Sequence, residues 1–407
     1  MNRLKKTLIA TLAATAIMAA CIMPAMADDY PQASWTQGGD FKFKKYLVID
    51  EQENLPAGTF SYDIRPGTGV APSSSTMEVY AGVAGAAVGS AVFDGTETLY
   101  NAKATEDTSV TLASGQKYAK EEVTIDFSGC TFKEPGVFRY ELNEQADANG
   151  IFSCDTTTKY VDVSVTDDGN GKLEVSGYTI HSTAEAPAKN STTAGTAGGT
   201  LGDKIDGIQN EYETTELYVG KVVTGNQASR DKYFKFTVNI TGLVGQTKLN
   251  VSIANASASS SDNLATSSAN QNKPNPTELT VSGGTATGTF YLQNGQYVII
   301  YGLMNGAEYE ITEDAEDYKS IASSTTAFTI GGVNFDDAVA TSAGIDVANG
   351  PFAAGFTNQR EGVIPTGIIM QVAPIAAIGV IVAAGIVVLI VTSTKRRAAE
   401  DAQEQDN

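Results

Sequence analysis

Short runs of alternating apolar and polar residues fill most of the chain. They are "FKFKKYLVI", "GTFSYDI", "EEVTIDF", "GVFRYEL", "KYVDVSVTD" and "KLEVSGYTI", then "ELYVGKVV", "YFKFTVNI", "TELTVSG", "GTFYLQNGQYVII", "EYEITED" and "AAGFTN". Side chains two apart on a strand share a face, so each run predicts a strand with one side packed inward. The Gly, Asn and Asp between runs supply the turns. With no helical period of useful length among them, the chain reads as all-β, and short strands at this spacing suit β-sandwiches. Two polar, low-complexity stretches, 182–203 and 256–275, read as surface loops. A division near Tyr212 to Glu216 gives two tandem domains, 28–212 and 213–361.

Two segments do not alternate. Residues 368–391 carry no charge over 24 positions, enough to cross a bilayer as a helix, and Lys395, Arg396 and Arg397 follow on what is then the cytoplasmic side. Residues 398–407 become a cytoplasmic tail and nearly everything before the span lies outside the cell. At the other end Arg3, Lys5 and Lys6 precede an apolar stretch from Leu8 and an Ala25-Met26-Ala27 cleavage site. This predicts a signal peptide, 1–27, cut before Asp28. Lipidation at Cys21 is the rival processing, disfavoured by Met18 three positions earlier.

The strand faces single out a repeated set of residues. Phe41, Phe43, Lys45, Leu47 and Ile49 share a face, as do Leu217, Val219 and Lys221. Glu144 lies with Phe138, Tyr140 and Leu142, and Glu313 with Tyr309 and Ile311. Asn210 follows Ile208, and Asn358 follows Phe356, in the same way. Each half therefore turns a Lys, a Glu and an Asn inward, in the same order. Lys and Glu are almost never fully buried unless paired, and a single inward lysine would read as an edge residue reaching solvent. Burial lowers a lysine's pKa and raises a carboxylic acid's. A neutral amine can then attack an Asn carboxamide that a protonated Glu polarises, releasing ammonia and leaving a Lys-Asn isopeptide bond. Held at near-attack distance, such groups need no external enzyme.

Charge and composition narrow the alternatives. Between residues 28 and 366 lie 21 of the 27 basic and 43 of the 47 acidic residues, a formal charge of −22. This predicts no nucleic-acid partner and a solvated acidic surface. One histidine, His181, excludes multi-histidine metal motifs and reads as a structural strand residue. "TDDGNGKL" reads as a hairpin turn, lacking P-loop or EF-hand spacing. No metal, cofactor or conventional enzyme activity is expected. Cys130 and Cys154, outside the cell, are the candidate pair for one disulfide, against the alternative of separate thiols.

The segments "KKYLVIDEQENLPAGTFSYDI", "TIDFSGCTFKEPGVFRYELNE", "IFSCDTTTKYVDVSVTDDGNGKL", "LYVGKVVTG", "YEITED" and "FTNQREGVIPTG" resemble the backbone pilins of Gram-positive bacteria, of the streptococcal T-antigen type. The resemblance implies two Ig-like sandwiches, related to collagen-adhesin B-type domains, each locked by a Lys-Asn bond between first and last strands with a Glu promoting it. Carried over, the triads are Lys45, Glu144, Asn210 and Lys221, Glu313, Asn358, with Lys44 and Glu141 as alternatives in the first. Val363, Ile364, Pro365, Thr366 and Gly367 resemble a sortase signal, with Ile364 where Val or Leu is usual, and residues 362–397 become signal plus span. A sortase would cut between Thr366 and Gly367 and pass Thr366 to a lysine of another copy, to minor pilins or to a peptidoglycan precursor. The implied product is a surface pilus attached to the cell wall, reached from a membrane-held precursor. Lys204 is the expected acceptor lysine and Lys189 its rival. A wall-anchored adhesin that does not polymerise is the alternative function.

Overall fold

The computed structural model describes residues 36–37, 41–74, 76–147, 150–184, 204–255, 275–322, 327–335, 340–342 and 344–362. The signal peptide, Lys189, the sorting motif at Val363 to Gly367, the span and the tail lie outside the described residues. Among those described, strands dominate, and no helix is long and apolar enough to cross a membrane.

The first block packs two sheets face to face. One runs Phe152–Ser153, Gly207–Tyr212, Phe41–Asp50, Gln116–Asp126, Ala87–Val88. The other runs Thr36–Gln37, Leu173–His181, Lys159–Asp167, Gly136–Glu144, Tyr62–Pro66, with Lys204–Ile205 and Tyr80–Ala81 paired onto it. Phe43, Leu47 and Val123 from one face meet Tyr140, Leu142 and Val161 from the other in a continuous apolar core.

The second block is built on a ten-stranded sheet, with a separate two-stranded ribbon of Thr329–Ile330 and Val333–Asn334. The sheet's order is Lys319–Ala322, Phe352–Gln359, Thr215–Thr224, Gln296–Leu303, Lys248–Asn255, Glu278–Ser282, Thr285–Leu292, Phe234–Thr241, Glu308–Asp314, Thr341–Ser342. Residues near its two ends, Lys221 and Glu313, touch. The sheet must therefore double over, forming two layers around Val219, Phe236 and Ile311. Among the described residues no strand of one block pairs with the other; loops meet instead, with Ala57 N–H donating to Gly245 O at 2.7 Å.

In both blocks the last strand lies parallel to the first. Lys45 is registered with Ile208 and Leu47 with Asn210; Lys221 is registered with Phe356 and Val223 with Asn358. The offset is the same twice, with the Asn two positions beyond the Lys partner. At the first junction a Cβ on Gly207 would lie 2.4 Å from the Lys44 carbonyl oxygen, so glycine is what lets the strands close there.

Two departures from simple alternation have physical causes. "GTFSYDI" is not one strand: Gly58–Phe60 pairs with Ala91–Phe93 while Tyr62–Pro66 joins Gly136–Glu144, the chain breaking at Ser61 to serve different sheets. Tyr46 and Val48, on the face opposite Lys45, are also fully buried, because Val110 and Tyr118 cover them. Tyr297 and Ile299 are likewise covered by Ile330 and Phe335.

Candidate functional site

Lys45 and Lys221 sit in the middle of long strands whose inward faces are otherwise apolar, and each is 0% exposed. Lys45 Nζ lies 2.7 Å from Glu144 Oε2 and 4.7 Å from the centre of the Phe60 ring. Lys221 Nζ lies 2.7 Å from Glu313 Oε1 and 4.5 Å from the Phe234 ring. Each Glu comes from the opposite layer, at or near the end of its strand, so that its carboxyl enters the core from above the lysine.

The carboxyls also hold the asparagines. Asn210 Nδ2 donates to Glu144 Oε1, and Asn358 Nδ2 donates to Glu313 Oε1 at 2.8 Å. In the first cluster Glu144 spans the two nitrogens, one oxygen to each. In the second both nitrogens approach the same oxygen. The Lys221 contact has ion-pair length but poor hydrogen-bond alignment. Lys221 Nζ, Glu313 Oε2 and Asn358 Oδ1 are thereby buried without a hydrogen-bond partner among the described residues. Two oxygens without a donor in one cluster, Glu313 Oε2 and Asn358 Oδ1, are costly, each on the order of 1–3 kcal/mol.

Burial sets the protonation. Desolvation pulls both lysines down to about 8, against the opposing attraction of Glu144 and Glu313. It pushes both acids up, although the lysine and asparagine beside each pull the other way. The directions favour moving the proton from ammonium to carboxylate, because a neutral pair is cheaper than two ions in an apolar core. Such a transfer would pair a nucleophilic amine with an acid able to donate to a leaving nitrogen.

The other sequence-selected residues fall elsewhere. Lys44 points to the opposite face, 24% exposed, paired with Asp107 at 2.7 Å and Asp206 at 3.0 Å. Those acids outweigh desolvation and raise its pKa, so it stays charged. Glu141 pairs with Arg65 at 2.9 Å. Lys204 is exposed at the head of a two-residue edge strand beside His181. His181 is buried at a strand end, 3.6 Å from Asp162. Among the described residues no group of acidic, His and Cys side chains could hold a metal.

The candidate disulfide is absent. Neither cysteine is in a disulfide: Cys130 Sγ contacts the Tyr140 hydroxyl at 3.3 Å, and Cys154 Sγ accepts from Asn210 Nδ2 at 3.2 Å. Their neighbourhoods differ because Cys130 closes the turn after one core strand while Cys154 follows the edge strand beside Asn210. The contact of Cys154 with the first cluster had no signal in the sequence, and neither did the N–H of Asp155, which donates to Asn210 Oδ1 at 3.1 Å.

Residues 41–193 match the family of Spy0128-like isopeptide containing domains, and residues 215–358 match a domain of unknown function (DUF7601). A protein of Streptococcus pyogenes serotype M1 described as a pilin is 25% identical over 291 residues, 68% of this chain and 74% of its own. The pilus tip adhesin Cpa of Streptococcus pyogenes is 32% identical over 156 residues, 38% of this chain and 18% of its own. The solved major pilin of Streptococcus pyogenes aligns at 19% identity over 80% of this chain and 100% of its own, with a TM-score of 0.47. The first block thus matches an isopeptide-containing domain, and most of the chain's length is similar to a streptococcal protein described as a pilin.

Proposed function

We propose that this chain is the repeating subunit of a covalently built surface pilus, made of two domains, 28–212 and 213–361, each closed by its own Lys-Asn isopeptide bond. The observation that carries this is the pair of buried Lys-Glu-Asn clusters, each across a parallel first and last strand at the same offset. In each, neutral Nζ attacks the Asn Cγ, the Glu relays a proton from Nζ to Nδ2, and ammonia leaves. The Glu ends as it began, and the bond replaces a buried ion pair by an amide. Glu144 and Glu313 are the promoting acids of Lys45-Asn210 and Lys221-Asn358.

Assembly follows from the ends of the chain. The signal peptide directs export and the span holds the precursor in the membrane. A sortase cuts between Thr366 and Gly367 and transfers Thr366 to Lys204 of another copy, to a minor pilin, or finally to a peptidoglycan precursor. The likeness to a tip adhesin favours one rival, a wall-anchored adhesin that does not polymerise.

Intact mass of residues 28–361, beside Lys45→Ala and Lys221→Ala variants, tests the internal bonds. The expected wild type lacks two ammonia masses and each variant lacks one. A wild type at its full calculated mass removes the bond chemistry. Detergent-resistant gels of wall extracts test assembly: a high-mass ladder that disappears with Lys204→Ala supports this acceptor, a ladder that survives moves it to another lysine, and a single wall-linked band supports the adhesin.

A further inference from the structure

The two clusters differ at one atom of the reaction. In the first, Asn210 Oδ1 accepts from the Asp155 backbone N–H at 3.1 Å, while Nδ2 donates both to Glu144 Oε1 and to Cys154 Sγ. All of the carboxamide's polar atoms are engaged, which fixes which end faces which neighbour. In the second, Asn358 Oδ1 has no donor among the described residues. The difference originates in the neighbouring strand. Phe152–Ser153 runs antiparallel to the Asn210 strand, with Ser153 opposite Glu211, and the chain then turns so that Asp155 presents its N–H inward. An Asx turn holds that bend: Asp155 Oδ1 accepts from the Thr157 N–H at 3.0 Å, and Lys159 pairs with Oδ2 at 2.6 Å. Beside Asn358 the corresponding strand is Lys319–Ala322, with Ser320 opposite and exposed.

Resting on the isopeptide reading above, we propose that the Asp155 backbone N–H is the oxyanion donor of the first reaction. The Lys45 Nζ lone pair forms the new bond to Asn210 Cγ, and the carbonyl π electrons move onto Oδ1. Neither oxygen of Glu144 serves Oδ1, because they face the attacking and leaving nitrogens. Asp155 N–H therefore meets the charge that develops on Oδ1. Collapse re-forms the carbonyl and breaks the Cγ–Nδ2 bond. Nδ2 leaves as ammonia with a proton from Glu144, which regains one from Nζ. A donor already in place at hydrogen-bond distance needs no reorganisation during the step. The second cluster lacks it, so the two bonds form at different rates, Lys45-Asn210 first.

The test uses residues 28–361, which contain every described strand, made by cell-free translation and quenched at intervals, with the cross-linked peptide of each site quantified by mass. Replacing Asp155 by its α-hydroxy acid through suppression exchanges only the N–H for an ester oxygen. The expected result is a Lys45-Asn210 bond slowed roughly 10²- to 10³-fold, the range for loss of one such donor. Lys221-Asn358 closes at its usual rate as an internal control. An ester chain as fast as wild type overturns the assignment while leaving the bond itself intact. Absence of both bonds from the wild type overturns the underlying reading and this one together, and is a different observation.

Discussion

Asn210→Ala isolates what the first cross-link contributes to stability. It removes the electrophile but keeps Lys45 and Glu144 as a buried pair. The bond would close a loop of ~165 residues, which the chain-entropy treatment of cross-links values at about 5 kcal/mol. The hydrogen bonds Asn210 makes with Glu144 and Asp155 add on the order of 1 kcal/mol each. For a block of this size each kcal/mol moves the melting temperature by roughly 2–4 °C, so the first block should melt at least roughly 10–20 °C lower. Calorimetry of residues 28–361 reads this directly, with the second block as an internal standard whose transition stays in place. A second comparison separates cross-link loss from ordinary damage. If one bond joins the two residues, Lys45→Met and Asn210→Ala each abolish it, and the double variant loses the cross-link contribution only once. Additive losses, near twice the single effect, would refute the reasoning even if the single variant melted as expected.

Lys44→Met and Glu141→Gln should leave both ammonia losses intact by mass, since these residues pair with partners outside the two clusters; a lost bond in either would reassign the first triad. In an Asn358→Ala chain Lys221 stays free, with a folded pKa near 8 against 10.5 unfolded, so between those values only the unfolded chain keeps the proton. Its denaturant midpoint should accordingly rise from about pH 8 to 10.5 relative to Asn358→Ala/Lys221→Met; parallel pH curves would contradict the lowered lysine. Arg139→Ala strands Asp162, which it grips through two nitrogens at 2.7 Å, and should destabilise the first block by about 3–5 kcal/mol in urea titration; a change below about 1 kcal/mol would place that pair among ineffective ones. Unfolded protein should take a thiol label at both Cys130 and Cys154 without reductant, whereas no labelling would mean a bridge after all.

The alternation of Phe41 to Ile49 was enough to turn Lys45 inward and Lys44 outward, because one face of that strand meets the opposite sheet. The same period located Glu144 and Asn210, and their counterparts in the second half, since each belongs to a strand whose inward side is apolar. Period alone cannot show what covers the other face. Tyr46 and Val48 are sealed by Tyr118 of the neighbouring strand together with Val110, from a connection with no strand pattern of its own, and Gln296–Leu303 is buried along its whole length because such a connection covers its other face too. The partners of Asn210 were also hidden. One is a backbone N–H, which every residue but proline possesses, and its direction depends on a bend after a two-residue strand. The parallel pairing of first and last strands joins residues too far apart in sequence for local pattern to register.

That pairing decides how the molecule bears tension. A pull on the beginning of Phe41–Asp50 and on the end of Gly207–Tyr212 draws two parallel neighbours past one another along their length. The hydrogen bonds between them are then loaded in shear, together, instead of being unzipped one at a time. Only Glu213 and Thr214 separate Tyr212 from the next strand, Thr215–Thr224, which passes the force to Phe352–Gln359 in the same geometry. The line of force thus crosses four strands, and the remaining strands of both blocks hang beside it under little load.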